Sequence, residues 1–412
     1  MTRRRFFAPL LLLLAAAGVL NGCENEKSTS GGNGGTGDIV IGHVASLTGD
    51  TATFGVSSNE GLLLALDEIN KAGILGGRKI KVITEDDRSL PDEAKTACEK
   101  LITRDSAIAI IGEIASSRSI AMAPVAQDNK IPMLSPGSTN PKVTEIGDYV
   151  FRACFIDPFQ GTAVATFAMA PKPEGLGLKR FAILYPVNSD YGMGLREFFG
   201  NAVKKAGGEI VADEAYTEKQ DVDFRGQLTK IKQANPEAIF CSGYYTEAGL
   251  IAQQARELGI TVPLMGGDGW DSDQTVKIGK SATNNCFFSN HYSADEDRPE
   301  VKAFVEAYRG RYKNPDGSPK TPDAMAILGY DAMRLMADAI TRAGGTDGDK
   351  IRAALASTKN FQGASGVITI DDKRNAQKSL VILEIKDGKF DYVASVAPDP
   401  QTGQLKVRRT SK

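Results

Sequence analysis

The stretch Ile110-Ile111-Gly112-Glu113-Ile114-Ala115-Ser116-Ser117-Arg118-Ser119 decides the fold. Its apolar residues stop at Gly112, and a pattern of apolar residues at helical spacing follows, which predicts a strand, a turn and a helix. Unpaired backbone N–H groups and the helix dipole make such a helix start a place where an anion can dock. Ser116 and Ser117 either add hydroxyl donors to an anion site or only cap the helix, and this stretch alone leaves both readings open.

Apolar runs and helical patterns alternate on both sides of this stretch. Ile39 to Val44 and Ile80 to Thr84 are predicted strands, with a helix from about Asn59 to Ala72 between them. A second series of strands and helices runs from Phe181 to Met265. Such regular alternation predicts an α/β protein with two lobes, each built on a parallel sheet with right-handed crossovers. In open parallel sheets, ligands bind beyond the carboxyl ends of the strands.

Composition limits the classes of function. The chain has 412 residues, of which 42% are hydrophobic and 24% charged, so it is long enough for two globular domains. The formal net charge is -2, and the body of the chain has no basic block. We therefore expect no nucleic-acid partner, because phosphate contacts need clustered Lys and Arg side chains.

Residues 1–23 have the pattern of a bacterial export signal. Arginines at positions 3–5 precede an apolar run of about fifteen residues, too short to span a membrane. Leu20-Asn21-Gly22-Cys23 resembles a lipobox, in which Cys23 is lipidated, although Asn21 departs from the usual pattern. The first residues also loosely resemble a twin-arginine signal, but the strongly apolar run favours the general export route. Residues 24–37 are rich in Ser, Gly, Asn and Thr and are a predicted flexible tether.

Cysteines and histidines offer little chemistry. Export permits disulfides, but Cys98, Cys154, Cys241 and Cys286 lie in apolar patterns, so we predict buried free thiols. The two histidines, His43 and His291, are predicted to be structural. With no metal-ligand spacing and no hydrolase, Walker or dinucleotide motif, we expect no metal, no cofactor and no enzymatic activity.

Polar and aromatic residues stand at the carboxyl ends of predicted strands in both halves. Each of them has a plain structural reading as a turn or packing residue, but the joint pattern favours a site shared by two lobes. They are Ser116, Gly137 and Thr139 in the first half and Tyr191, Tyr244 and Asp268 in the second.

Several stretches carry a resemblance to a known family. They are Leu47-Thr48-Gly49, Asp67-Glu68-Ile69-Asn70, Gly73-Ile74-Leu75-Gly76-Gly77, Ile111-Gly112, Ser135-Pro136-Gly137-Ser138-Thr139, Asp190-Tyr191-Gly192, Gly243-Tyr244 and Met265-Gly266. Across roughly Ile39 to Tyr392 the chain resembles the periplasmic leucine/isoleucine/valine-binding protein family, the type I solute receptors of ABC importers. The resemblance implies the periplasmic binding protein type I fold, with two doubly wound parallel-sheet lobes joined by a three-segment hinge. The implied lobes are residues 38–156 plus 291–371 and residues 157–290 plus 372–412.

The resemblance also implies a role for individual residues. The α-carboxylate of a bound amino acid is expected at Ser116 and Thr139, with Ser117, Gly137 and Ser138 beside it. The α-ammonium is expected at Asp268, which is one carbon shorter than the usual Glu. Tyr191 and Tyr244 are expected to close over the ligand, while Phe54 and Trp270 form walls of its side-chain pocket.

These expectations together describe a receptor anchored to the membrane only through lipid, in the periplasm or at the cell surface. It is expected to be a monomer that delivers an amino acid, first of all a branched-chain one, to the permease subunits of an ABC importer. Alternatives are a receptor for an amide, urea or an aromatic acid, a ligand-sensing signalling lipoprotein and an exported hydrolase.

Overall fold

The computed structural model describes residues 37–399 and 401–410. The predicted signal segment, Cys23 and all but the last residue of the predicted tether therefore lie outside the described residues. Within the described ranges, no helix has the length and apolar character needed to cross a membrane.

The first lobe begins with a parallel βα series, as predicted. Its elements are β1 (Ile39–Ala45), α1 (Ala52–Ala72), β2 (Ile80–Asp86), α2 (Pro91–Thr103), β3 (Ile110–Ile111), α3 (Ser116–Asp128), β4 (Met133–Ser135), α4 (Lys142–Glu145) and β5 (Val150–Arg152). The five strands form one parallel sheet with the order β2-β1-β3-β4-β5. The carboxyl ends of β3 and β4 are neighbours, which brings the starts of the following segments together.

The second lobe begins with a helix and repeats the series. Its elements are α5 (Asp157–Met169), β6 (Arg180–Pro186), α6 (Asp190–Lys205), β7 (Glu209–Tyr216), α7 (Arg225–Gln233), β8 (Ala238–Cys241), α8 (Tyr245–Glu257), β9 (Leu264–Gly266), α9 (Asp273–Gly279) and β10 (Cys286–Asn290). Short 3₁₀ turns at Asp268–Trp270 and Lys280–Thr283 flank α9.

The rest of the chain contributes helices and strands to both lobes. It contains α10 (Pro299–Arg311), α11 (Ala324–Ala343), α12 (Gly348–Ala356), β11 (Phe361–Gly363), β12 (Gly366–Ile370), β13 (Ala376–Gln377), β14 (Leu380–Lys386), β15 (Lys389–Pro398) and β16 (Leu405–Arg409). The three helices pack into the hydrophobic core of the first lobe, and β11, β12 and β13 form a small antiparallel sheet. The last three strands join the second lobe.

The second sheet corrects one sequence-based expectation. Its order is β16-β15-β14-β10-β9-β8-β6-β7. The strands from β6 to β10 are parallel, as predicted, but β14, β15 and β16 extend the sheet in antiparallel fashion. The second sheet is therefore mixed. The predicted boundaries between the lobes stay predictions, although Ala376, beyond the predicted end of the first lobe, still packs in that lobe's core.

Close helix packing explains why α1 begins at Ala52 rather than at about Asn59. A β-carbon at Gly55 would overlap the backbone of Ser46, and one at Gly61 would overlap the backbone of Ala326 in α11. These glycines weaken helix propensity, but they let α1 lie directly against its neighbours. Tertiary packing thus extends the helix through a stretch that its local sequence disfavours.

The four cysteines of the described body are buried and unpaired, as predicted. Burial raises the pKa of Cys98, Cys154 and Cys286 to about 12, and it raises the pKa of Cys241 further. The thiols are therefore small apolar groups of the two cores.

Candidate ligand-binding site

A cavity lies between the two lobes. The strands of both sheets point their carboxyl ends at it, because the lining residues follow β3, β4, β6, β8 and β9 and lie near the starts of α1 and α11. Seven of the ten sequence-predicted residues line it, and three further lining residues were not predicted. The lining consists of Phe54, Ile114, Ser116, Gly137, Thr139 and Met325 from the first lobe and Tyr191, Tyr244, Asp268 and Gly269 from the second.

Hydroxyl groups and a helix start form one end of the cavity. Ser116 is the first residue of α3, and the structure shows no side-chain cap at this helix, so the capping reading is wrong. The Oγ of Ser116 accepts a hydrogen bond from the backbone N–H of Asn140 at 3.2 Å. The buried Oγ1 of Thr139 lies beside the Asp157 carboxyl and lowers the pKa of that group, although it forms no hydrogen bond of ordinary geometry among the described residues. Both hydroxyls thus retain capacity to donate to an anion at the start of α3.

A buried arginine holds the loop that carries Gly137 and Thr139. The guanidinium of Arg152, at the end of β5, donates to the backbone carbonyls of Ser138 and Asn140. The Ser138 hydroxyl donates within the first lobe, where the carbonyls of Glu113 and Ile114 are both 3.0 Å away. Ser138 therefore shapes the loop and is not among the lining residues.

The carboxylate of Asp268 stands on the second-lobe side of the cavity. Its Oδ1 accepts hydrogen bonds from Gln160 Nε2 at 2.7 Å and from the Tyr191 hydroxyl at 3.0 Å. Its Oδ2 lies 3.0 Å from His291 Nε2. Burial is the main cause that raises the pKa of Tyr191, and the charge of Asp268 adds to it, so this phenol remains a donor.

Sequence reasoning missed two of these partners. Gln160 lies on α5, a helix that the sequence did not reveal, and His291 was predicted only to be structural. Neither residue is near Asp268 in the sequence, so no local motif connects them. His43, by contrast, lies away from the cavity in β1, where burial lowers its pKa to about 4.

Aromatic and apolar side chains enclose the rest of the cavity. The rings of Tyr191 and Tyr244 stack with centroids 5.1 Å apart, and Phe54 meets Tyr244 edge-on at 5.6 Å. Ile114 and Met325 complete this wall. The cavity thus has an apolar section between its hydroxyl end and its carboxylate.

The two remaining predicted residues lie outside the lining. Trp270 belongs to a hydrophobic cluster of the second lobe, and its indole lies against Gly266, where a β-carbon would overlap the ring. The Oγ of Ser117 accepts a hydrogen bond from the backbone N–H of Asp190 at 3.1 Å. Ser117 therefore contacts the other lobe at the edge of the cavity.

A second carboxyl group, Asp157, is buried next to the site. Burial raises its pKa to about 8, and the nearby charge of Asp268 contributes to that rise. At neutral pH the Asp157 carboxyl is therefore mostly protonated. Asp268 is thus the one carboxyl group that lines the described cavity.

Polar contacts join the two lobes around the cavity. Asn140 Nδ2 donates to the Asp190 carbonyl at 2.7 Å, and Lys219 Nζ donates to the Ser89 carbonyl at 2.8 Å. The hydroxyl of Tyr245 donates to the Asp50 carbonyl at 2.6 Å. The lobes are therefore in contact and enclose the cavity. Across residues 37–399 and 401–410, no group of three or more His, Cys, Asp and Glu side chains is placed to hold a metal ion.

Comparison with known proteins identifies the fold. The sequence profile of a family described as "Periplasmic binding protein" matches residues 38–389. The chain belongs to this family. Among curated relatives, an "Amino acid binding protein" from Pseudomonas aeruginosa is 32% identical over 359 residues, which cover 86% of this chain and 92% of the relative. The predicted type I fold is thereby confirmed, and the family is one of solute-binding proteins rather than enzymes.

Solved structures with the same fold include two proteins named for branched-chain amino acids. The leucine-binding protein LivK from Thermotoga maritima is 40% identical with a TM-score of 0.81, and the match covers 87% of this chain and 99% of LivK. The substrate-binding protein LivJ from Streptococcus pneumoniae, in complex with isoleucine, is 31% identical with a TM-score of 0.79, and the match covers 90% and 100% of the two chains.

Proposed function

We propose that this periplasmic binding protein captures a branched-chain amino acid between its lobes and delivers it to the permease subunits of an ABC importer. One observation carries the proposal: a single cavity has the start of α3 with two hydroxyls at one end and the carboxyl group of Asp268 on the opposite lobe. This arrangement matches the two charges of an amino-acid zwitterion, each of which needs hydrogen-bonded partners once it leaves water.

In the proposed complex, the α-carboxylate accepts hydrogen bonds from Ser116 and Thr139 and from the backbone N–H of Ser117. The α-ammonium donates to Asp268 and to the Gly137 carbonyl or the Thr139 hydroxyl. The hydroxyls support the first assignment because both line the cavity.

The side chain of the ligand is assigned to the apolar section of the cavity. Phe54, Ile114 and Met325 offer no hydrogen-bonding side-chain group there except the weakly accepting thioether. The similarity to a leucine-binding protein and to an isoleucine complex supports the same choice. We therefore assign leucine, isoleucine or valine as ligand, and disfavour amides, urea and aromatic acids because they carry no ammonium group for Asp268.

Capture is proposed to work by closure of the lobes about three chain crossings, near residues 155–157, 290–292 and 370–374. Hinge closure around a ligand is a general motion of periplasmic binding proteins. Closure removes water from the charged hydrogen bonds, and it forms the lobe-to-lobe contacts that a permease can distinguish from the open protein. The ligand leaves chemically unchanged. We further propose that Cys23, outside the described residues, carries the lipid anchor, so that the monomer works at a membrane surface.

Calorimetric titration of the purified protein with the twenty amino acids tests the proposed ligand. A few charged hydrogen bonds, less the cost of ordering, leave about 8 kcal/mol, which corresponds to a micromolar dissociation constant. We expect leucine, isoleucine or valine to bind most tightly. Tighter binding of urea, acetamide or benzoate than of any amino acid would refute the assignment. Loss of labelled-leucine uptake on gene deletion separates transport from a sensing role.

Substitution of the two hydroxyls tests the proposed orientation. Ser116→Ala and Thr139→Ala are each expected to weaken leucine about tenfold, because one hydrogen bond to a charged group is worth roughly 1.5 to 3 kcal/mol. Binding of 3-methylbutylamine, which lacks the carboxylate, should change less than twofold in Ser116→Ala. Thr229→Ala, on the exposed side of α7, is the matched control. Equal losses for leucine and the amine would contradict the carboxylate assignment.

A further inference from the structure

The carboxylate of Asp268 is tied to both of the first two chain crossings. Gln160 lies on α5, just after the first crossing, and His291 directly follows β10 in the second. The His291 side chain is fully buried, and its Nε2 lies 3.0 Å from Asp268 Oδ2. We propose that His291 is a positioning residue for ammonium capture: as a neutral imidazole it donates to Asp268, which fixes the carboxylate while leaving its charge for the ligand. This inference rests on the proposed function.

The hydrogen-bonding pattern decides which nitrogen of His291 carries the proton. An ionised carboxylate only accepts hydrogen bonds, so the hydrogen must be on Nε2. The other ring nitrogen, Nδ1, is buried and has no partner among the described residues. A protonated imidazolium would bury an N–H without an acceptor, which is costly. The neutral tautomer with hydrogen on Nε2 therefore fits this environment.

Neighbouring groups hold the imidazole in place. The ring stacks on Phe155, with centroids 3.8 Å apart and planes at 17°. The backbone N–H of His291 donates to Asn290 Oδ1 at 2.9 Å, and Asn290 Nδ2 donates to Asp271 at 2.9 Å. The stacking on Phe155 and the backbone hydrogen bond to Asn290 both fix the imidazole. The Nε2–H donor of His291 therefore cannot follow the carboxylate if Asp268 turns. Asp268 is therefore fixed relative to the crossings.

The charged surroundings favour the neutral ring. Burial lowers the pKa of His291, the hydrogen bond and the charge of Asp268 oppose this, and the positive charge of Lys378 lowers it further. Asp157 is near Asp268 but is mostly protonated at neutral pH. Acidification that protonates His291 would give an ion pair with Asp268 whose net charge is zero. The ammonium group of a ligand would then meet an Asp268 carboxylate whose charge is already balanced by the imidazolium.

The test compares His291→Leu with His291→Gln, whose side-chain amide can donate but does not titrate. His291→Leu is expected to weaken leucine tenfold to a hundredfold, with less than a twofold effect on 4-methylpentanoate, which lacks the ammonium and is measured by competition. His291→Gln should restore binding to within about fivefold of wild type. It should also remove the histidine-dependent loss of affinity on acidification. His43→Gln, at the other buried histidine, is the control.

Nitrogen-15 NMR of the imidazoles provides a readout that does not depend on the ligand. The chain has only two histidines, so the His43→Gln spectrum assigns both. A neutral ring with hydrogen on Nε2 at pH 7 is expected for His291. An imidazolium at pH 7, hydrogen on Nδ1, or equal losses on leucine and 4-methylpentanoate would overturn the inference. If the wild type binds no amino acid, the proposed function fails, and the imidazole spectrum still decides the state of His291.

Discussion

One buried residue, Asp268, supplies the carboxyl group of the cavity lining, and three side chains from different elements hold it. Asp268→Ala is expected to weaken leucine more than about a hundredfold, because a buried ammonium without its partner costs roughly 3 to 5 kcal/mol. Calorimetry measures the loss. Asp273→Ala, at an exposed carboxylate in α9 that pairs with Lys277, is the control. A loss below fivefold would remove Asp268 from its assigned role.

The neighbouring carboxyl of Asp157 should control stability rather than ligand charge. Its pKa rises from 3.8 to about 8 on folding because it is buried. The unfolded chain therefore ionises first, and the free energy of unfolding falls as pH rises from about 4 to about 8. Asp157→Asn cannot ionise, so its melting temperature should exceed that of wild type increasingly as pH rises, most of all above pH 8.

Scanning calorimetry at pH 5, 7 and 9 measures this difference for Asp157→Asn. Asp128→Asn, at an exposed position near the end of α3, is the matched control and should show no such trend. A constant difference between Asp157→Asn and wild type at all three pH values would show that the Asp157 carboxyl does not titrate as described.

At the residue scale, the sequence predicted the lining residues that follow strands better than the residues that hold them in place. Ser116, Thr139 and Asp268 lie within five residues of the ends of β3, β4 and β9, so the topology of a parallel sheet brings them to one cavity. Ser117 and Ser138 adjoin lining residues, but their hydroxyls form hydrogen bonds outside the cavity. The direction of a side chain within a turn cannot be predicted from sequence spacing. The contact of His291 with Asp268 joins residues from different segments, and only the folded chain reveals it.

At the element scale, the contact between α1 and α11 positions one wall of the site, since these helices carry Phe54 and Met325. Gly61→Ala should separate the helices, because the added β-carbon would overlap the backbone of Ala326. Such overpacking costs about 1 to 3 kcal/mol. We expect a lower melting temperature and weaker leucine binding.

Gly310→Ala is the matched control for Gly61→Ala. It lies in α10, and a β-carbon there meets nothing within 4 Å. This substitution should be neutral or stabilising by up to about 1 kcal/mol, because alanine favours the helix. Equal thermal stability of the two variants would contradict the close contact between α1 and α11.

The ends of β1 and β2 were predicted to within two residues, whereas the start of α1 was predicted about seven residues too late and α5 was missed. That helix is buried around most of its circumference, so its apolar residues show no single stripe. The antiparallel direction of β14, β15 and β16 was also missed. A short strand has the same alternation in either direction, and its neighbour in the sheet decides the orientation.

At the scale of the whole molecule, the cavity depends on bonds between the lobes. Lys219 donates from the second lobe to Ser89 in the first and lies 3.5 Å from Asp50. Under the proposed hinge motion these contacts form only on closure. Lys219→Ala should therefore weaken leucine about fivefold, the equivalent of roughly 1 kcal/mol for one partly exposed charged hydrogen bond.

Calorimetry and small-angle X-ray scattering together test Lys219→Ala. The scattering should show the same compact form at saturating leucine and a larger open fraction at low leucine than in wild type. Lys230→Ala is the control, since that lysine pairs with Glu214 inside the second lobe. Unchanged affinity in Lys219→Ala would show that this bond does not contribute to closure.

The burial of Cys98, Cys154, Cys241 and Cys286 has a practical consequence for observing such a motion. A maleimide dye reacts with an accessible thiolate, and these four groups are neither accessible nor readily ionised. One new cysteine on each lobe could thus be labelled, one with a donor and the other with an acceptor fluorophore. The four native thiols of the described body need not be replaced first. Distances between the lobes then become measurable in single molecules while leucine is added and withdrawn.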